Sequence, residues 1–291
     1  MCTGAAEDDT HILATGAFRA RLARDRTILA IAGEPSGADL TPLVGERAGQ
    51  GLRKLLKTVI PDELARASPL YLLLDDLSGA SLVSGWTWSQ WDPDWSETMR
   101  AAMTDPMLSA GFANRVGICT GFAVGSSAHR AATDRAGSPA PDLRNPADPE
   151  GFHAFPELPT GPAFRRARRI DLWIDDAIRI EAAFQDSANT PGGGRMVVHE
   201  YSLSLAADPQ THEIRTIDAR PHVLPFVECP GAAANMKLLI GEPLSRLREI
   251  VLERLRGTAG CTHLNDALRA LADAPILLGQ LQPRSMTTAG T

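Results

Sequence analysis

Aromatic side chains are scarce in this chain of 291 residues, at 5% of the total, and cysteine is scarcer still, with four. Cys2, Cys119, Cys229 and Cys261 are too few and too scattered for the disulfide framework of a secreted scaffold. No such framework is needed, because a chain of this length with 44% hydrophobic residues can bury one large core or two modest ones. No apolar run approaches the roughly 18–20 residues of a membrane span. Met1 to Thr10 carries acids and no apolar stretch, which excludes a secretory signal. The net charge of -6 lacks the basic excess of a nucleic-acid binder. Gly121 to Gly125 is too loose a glycine pattern for a nucleotide loop, and no lysine follows it. Of 29 basic residues only Lys54, Lys57 and Lys237 are lysine, a bias toward arginine-type codons that lowers the weight of arginine clusters. These exclusions leave a bacterial-type cytoplasmic protein with a small-molecule partner, no nucleic acid and no membrane.

What is present falls into two halves. Seven prolines between Ser138 and Pro162 prevent a helix or a central strand, so residues 138–164 read as a linker or strap between domains 1–137 and 165–291. Phe152, His153 and Phe155 would pack that strap down. In the C-terminal half, strands are expected at Arg168–Ile174 and Ile178–Phe184 around an Asp175-Asp176 turn, then at Met196–Leu205 and Glu213–Ala219. Helices follow at Ala232–Leu239, from Leu244 to Leu255, and at His263–Leu271. Strands first and helices second predict an α+β domain, an antiparallel sheet with helices packed on one face.

The N-terminal half repeats that order in blurred form. A hairpin is expected from Phe18–Leu22 and Ile28–Ala32, with helical periodicity from Leu43 through Leu56. Leu43-Val44-Gly45-Glu46 echoes Leu239-Ile240-Gly241-Glu242, and each precedes an amphipathic helix. The echo predicts two tandem copies, the N-terminal one degenerate and without the cysteines; two amphipathic helices can also match by chance.

Chemistry concentrates in the C-terminal half. Alternation along Val197–Leu205 puts His199 on the apolar face with Tyr201 and turns Glu200 away. An inward histidine needs a partner, since an unsatisfied buried polar group costs about 1–3 kcal/mol. Cys229 precedes Pro230, a residue suited to the first turn of a helix, where a thiolate is favoured; a small buried thiol is the plainer reading. Cys261 and His263 flank Thr262, a suitable helix cap. Together His199, Cys229, Cys261 and His263 form a nitrogen and sulfur set of the kind that binds zinc or iron.

In the N-terminal half Trp86, Trp88, Trp91 and Trp95 lie within ten residues and would wall an aromatic substrate pocket, or form a lid or the interface of a homodimer. Gly117–Phe122 reads as a buried strand with Cys119 in packing. Arg165-Arg166-Ala167-Arg168-Arg169 reads as a solvated strand edge that could bind a carboxylate or phosphate. Asp75-Asp76, like Asp175-Asp176, reads as a turn.

The span from about Arg166 to Leu278 resembles a bacterial family known only as a domain of unknown function. Its signature is matched by His199-Glu200, Cys229-Pro230-Gly231-Ala232 and Gly260-Cys261-Thr262-His263-Leu264, in order. Longer members also resemble the chain through Tyr71-Leu72-Leu73-Leu74-Asp75-Asp76. More distantly, the order of strand ligand, hairpin, helix-opening cysteine, amphipathic helix and second helix-opening cysteine resembles the NifU-like iron–sulfur cluster scaffolds, and implies a NifU/SufE-like fold. By that resemblance His199 replaces the first cysteine ligand, Cys229 and Cys261 fall on the second and third, and Tyr201 replaces an aspartate. These replacements argue against a labile cluster. They favour one fixed zinc or iron per chain, or a metal-free Cys/His active site, without a nucleotide cofactor.

The resulting expectation is an enzyme acting on a small organic substrate, aromatic if the tryptophans line its pocket, with His263, Asp266, Glu200 and Tyr201 as proton-transfer groups. Retro-aldol-type C–C lyase or hydrolase chemistry needs only a Lewis acid and a base. The alternative is a metal or iron–sulfur carrier that acts through partners.

Overall fold

The computed structural model describes residues 2–6, 9–34, 37–95, 97, 116–130, 138–139 and 160–281. These form two compact units, one from the described residues up to Leu82 together with 276–281, the other from the described residues 83–139 and 160–275. The aromatic residues of the proline-rich strap, Phe152, His153 and Phe155, lie outside the described residues. No helix among the described residues is long and apolar enough to cross a membrane.

The second unit is α+β. Four long antiparallel strands, β6 (Phe164–Ile174), β7 (Ile178–Asn189), β8 (Arg195–Ala207) and β9 (Ile214–Val223), run as a meander in chain order. The head of the proline-rich strap adds a two-residue strand β5 (Ser138–Pro139) to the start of β8, an edge position that proline tolerates. Asp175 and Asp176 make the β6–β7 turn as expected, with Asp175 accepting from the Ala177 N–H and both acids bonded to Arg179.

Each strand is longer than the sequence pattern suggests. β6 starts at Phe164 because Arg166 and Arg168 lie within the sheet, and β7 continues past Phe184 through Asp186 to Asn189. Polar residues break the apolar alternation at both places, which hides the continuation. His199, Tyr201, Leu203 and Leu205 are buried on β8 while Glu200, Ser202 and Ser204 are not, as alternation predicts; Val197 and Val198 are both buried, where a bulge interrupts the alternation. A bulge between Asp186 and Ser187 shifts the register, so that Asp186 pairs with His199 and Ser187 with Val197.

After β9 the chain turns helical. Cys229–Leu239 is a run of 3-10 turns rather than an α-helix. It is followed by the α-helices at Leu247–Arg254 (α6) and Thr262–Ala270 (α7). Cys261, not Thr262, is the cap of α7, with extended φ and ψ of -120° and 128°. Leu244, Leu247, Val251, Leu264 and Leu268 are fully buried. A buried ion pair, Arg248 Nη2 to Asp273 Oδ2 at 2.7 Å, joins α6 to the turn after α7.

Gly117–Phe122 is not a strand. It forms turns and a 3-10 turn at Thr120–Phe122, followed by the short helix α5 (Ser127–Arg130). Glu228 accepts the Ser127 N–H and hydroxyl, which fixes the start of α5.

The first unit holds two hairpins, β1 (Cys2–Ala6) with β2 (Asp9–Ala14) and β3 (Ala17–Leu22) with β4 (Ile28–Glu34). A 3-10 turn at Thr41–Leu43 and the helices α1 (Gln50–Val59), α2 (Pro61–Ala65) and α3 (Pro69–Val83) follow. Its core comprises Ile28, Leu40, Leu43, Leu52, Leu56, Leu70, Tyr71 and Leu74. Asp75-Asp76 is inside α3 and not a turn; Asp75 is buried, its Oδ1 3.8 Å from Arg53 Nε.

The two units share a turn down to single hydrogen bonds. Ile28 N–H donates to Glu46 O and Gly45 N–H to Ile28 O, both at 2.8 Å; Ile214 donates to Glu242 at 3.0 Å and Gly241 to Ile214 at 2.9 Å. Ala48 donates to Arg26 O at 2.9 Å, and Leu244 to His212 O at 3.0 Å. Arg26 and His212 both have positive φ, 71° and 59°, as do Gly45 and Gly241, 88° and 83°. A register shift precedes the turn in both hairpins, at Arg21/Leu22 and at Ala206/Ala207.

Candidate active site

Cross-strand pairing brings the polar side chains together on the helix-covered face of the second unit. Arg166 on β6 pairs with Asp186 on β7, and Asp186 with His199 on β8. α7 packs on β7 and adds His263 and Asp266. Arg166 grips Asp186 bidentately, Nε to Oδ1 at 2.8 Å and Nη2 to Oδ2 at 2.9 Å, and its Nη1 donates to Asp266 Oδ2 at 2.8 Å. Arg168 adds a bond from Nη2 to the Asp266 carbonyl. The arginine run is therefore not a solvated edge throughout: the Arg166 side chain is 4% exposed and ties α7 to the sheet.

Two imidazoles face the buried carboxylate. His199 Nδ1 is 3.3 Å and His263 Nε2 4.0 Å from Asp186 Oδ2. The rings stack with centroids 3.5 Å apart and planes 17° from parallel. Burial works against charge on Asp186, but the charge and bonds of Arg166, the bond to His199 and the charge of His263 outweigh it and hold the carboxyl well below the usual carboxylate range.

Cys261 Sγ is 3.8 Å from His263 Nδ1. His263 thus has the shared carboxylate beyond one ring nitrogen and a thiol beside the other. Tyr201 and Cys261 are neighbours that act on each other's ionisation. Burial pushes the Tyr201 phenol well above its ordinary range, with the neighbouring thiols adding to the shift, so it keeps its proton. Burial also raises all three of these thiols: Cys119 to about 11, Cys229 to about 12, and Cys261 upward although the nearby Tyr201 works the other way. The helix-start positions of Cys229 and Cys261 therefore do not yield thiolates; desolvation wins.

Cys119 is more than packing. Its loop is clasped to the loop before Cys261: Thr120 N–H donates to Gly260 O at 2.9 Å, and the Thr120 hydroxyl is 2.9 Å from the Thr258 and Gly260 carbonyls. Next along, Gly121 approaches so closely that a Cβ there would meet Cys229 Sγ at 2.7 Å.

Of the other expected residues, Glu200 is on the opposite face and accepts from Gln185 Nε2 at 2.9 Å. Trp86, on α4 (Gly85–Trp91), is 5% exposed and packs in a cluster with Ala188 and Val198, flanked by Phe164 and Met196. Phe164 and Ala188 pair one pleat from Arg166 and Asp186, so the tryptophan helix covers sheet next to the histidines. Trp86 is core there rather than a substrate wall. Trp91 donates from Nε1 to the Asn189 carbonyl at 2.9 Å, while Trp88 is half exposed.

Asp186 and Arg166 are the members that the sequence reading missed. The signal was there, an acid two residues beyond Phe184 in register with Ile178, Ile180 and Ala182.

Among the described residues, Asp186, His199 and His263 have ligand atoms within 4.8 Å of one another. As arranged they do not fit a metal ion. A histidine lone pair lies in the ring plane and reaches the metal at about 2.0 Å. Two nearly parallel planes 3.5 Å apart cannot both contain one ion. Both Asp186 oxygens are moreover engaged by the Arg166 cation. Cys229 is grouped instead with Cys119 and Cys261, whose charges act on one another.

Residues 164–277 match a family described as protein of unknown function, DUF2889. No curated protein and no solved structure matches the chain.

Proposed function

We propose that the protein is an enzyme whose Asp186–His199–His263 assembly moves protons on a small organic substrate, without a metal. The stacked imidazoles over one arginine-bound carboxylate carry this reading. Asp186 stabilises a proton on either ring, while close stacking disfavours protons on both. The pair therefore holds one exchangeable proton, as a general acid–base group requires. His263 is the more exposed, its side chain at 13% against 7% for His199, and is the group that meets substrate. Tyr201 lies beside Cys261, and Asp266 holds Arg166 in place.

Two reaction classes suit such a centre. In a retro-aldol cleavage His263 takes the hydroxyl proton, the C–C bond breaks toward the carbonyl fragment, and the proton returns to the resulting enolate carbon. In an ester hydrolysis the same ring takes a proton from water as the water oxygen attacks the carbonyl, and returns it to the alkoxide as the C–O bond breaks. The nearby tryptophan helix favours an aromatic substrate, with Trp88 and Trp91 as its wall. Bacterial cytoplasm is the setting we infer for such chemistry.

The shared turn supports a reading of the two units as tandem copies, with the first lacking the polar site. Cys229 opening the 3-10 run and Cys261 capping α7 are consistent with a NifU-like arrangement. The metal or iron–sulfur carrier reading is the alternative.

The test is a panel of β-hydroxy carbonyl compounds and esters, aryl-substituted and not, assayed with wild type and His263→Asn. Loss of turnover by about 10²–10⁴-fold with the fold intact is expected. Equal rates would sink the proposal. Tightly bound zinc or iron, lost in His199→Asn, would move the assignment to the carrier or metalloenzyme.

A further inference from the structure

The sheet has a second face, turned away from the histidines. Trp173, Arg179, Glu181, Ser204, Ala206 and Thr216 alternate with the core-facing residues of their strands and share that face. Trp173 pairs with Arg179, Arg179 with Ala206, Ala206 with Thr216, and Glu181 with Ser204. Ala206 has the smallest of these side chains, and the others wall an open hollow of about 190 Å³ around it. We propose that this hollow binds the ammonium group of a small amine, held between the Trp173 indole and the Glu181 carboxylate.

The walls of the hollow carry this inference. Trp173 is 44% exposed, and no cation stacks on its ring among the described residues. Its cross-strand neighbour Arg179 is turned to Asp175 and Asp176 instead. Glu181 is exposed, with no ion pair or side-chain hydrogen bond among the described residues. The Ser204 and Thr216 hydroxyls are likewise unbonded there and can accept from an N–H donor.

The surrounding charge selects a cation. Arg179 is matched by two acids, Arg215 by Asp208, and Asp171 by Arg169. Glu181 and, across the next strand pair from Ser204, Asp218 are left without a cation among the described residues. An ammonium over the indole is attracted by the ring quadrupole and by the carboxylate beside it. A neutral ligand gains neither attraction, and both acids repel an anion. The hollow lies on the opposite face from Asp186, His199 and His263 and does not rest on their chemistry.

The experiment is a calorimetric titration of the full chain, at constant ionic strength, with choline, with ethylammonium, and with the uncharged tert-butyl analogue of choline. Saturable binding of a cation is expected, about tenfold tighter than any binding of the uncharged analogue. Trp173→Leu keeps an apolar wall but loses the ring, and should bind about fivefold to tenfold more weakly. Glu181→Gln should bind several-fold more weakly, with the gap widening at low salt. Ala206→Leu fills the hollow and should abolish binding. His263→Asn should bind as wild type does, which separates this site from the acid–base centre. Tighter choline would identify a methylated amine, and tighter ethylammonium a primary amine bonded to Glu181 and Ser204. No saturable binding of either cation overturns the site. So does equal affinity for the uncharged analogue, or affinity unchanged in both Trp173→Leu and Glu181→Gln. If Ala206→Leu fails to fold, those two exposed substitutions decide.

Discussion

The turn at Ile28 and the turn at Ile214 share the same bonds to the segment that follows, yet among the described residues only the second belongs to a unit with a clustered polar site. The difference is strand length. β3 and β4 have 6 and 7 residues, whereas β8 and β9 have 13 and 10. Aligned at Leu22 and Ala207, the six residues of β3 correspond to Ser202–Ala207. Tyr201 and His199 lie in the stretch of β8 that β3 lacks, and Asp186 lies opposite on β7. A common turn and helix start supply the scaffold, and the extension of the strands supplies the chemistry.

The largest effect is expected at Asp186→Asn, which leaves Arg166 buried without its bidentate partner and should cost about 3–5 kcal/mol in denaturant unfolding. Asp75→Asn in the first unit, buried with its arginine 3.8 Å away, should cost less, about 1–3 kcal/mol. Equal losses would mean that the polar face of the second unit is ordinary structure.

Gly45→Ala and Gly241→Ala should each cost about 1 kcal/mol, because both have positive φ and neither Cβ would meet a neighbour. Clearly unequal costs would argue against equivalent turns.

The pH response should differ as well. The raised thiols keep their protons in the folded state above the pH at which the unfolded chain loses them. Their contribution is complete below about pH 9 and declines as pH rises toward 11–12. Cys229→Ala should flatten that alkaline decline. Asp186 works the other way: its contribution is full above the ordinary carboxylate range and falls as pH drops through and below it. A thermal-stability profile of wild type and Cys229→Ala checks both limbs, and an unchanged alkaline limb would refute the desolvation argument.

The smallest effect is expected at Asp25→Ala, which removes an exposed turn acceptor for the Thr27 N–H and should leave the unfolding midpoint almost unchanged.

The α+β order of the second unit was legible because apolar alternation and helical spacing leave separate marks. Site residues that interrupt those marks were harder to read. Arg166 and Asp186 look like strand ends, yet their mutual pairing is what lets the strands continue. Asp75 was misread for the related reason that an acid pair looks exposed unless its arginine, Arg53 on another helix, is known. His199, Cys261 and His263 are neighbours in the structure, but the arrangement of the two histidines with Asp186, rather than with Cys229, needs the register of β7. Trp86 shows that a residue type suited to binding can equally be core. Nothing local in Gly117–Phe122 distinguishes a buried strand from a buried loop.

The Thr120 clasp reaches beyond the family-matched span. A protein that inherited only residues 164–277 would leave the Gly260 carbonyl and the Cys229 and Cys261 thiols without the cover that Cys119, Thr120 and Gly121 provide. The family-matched stretch is thus not a portable cassette, and recombination that grafts it elsewhere must bring a substitute for this loop.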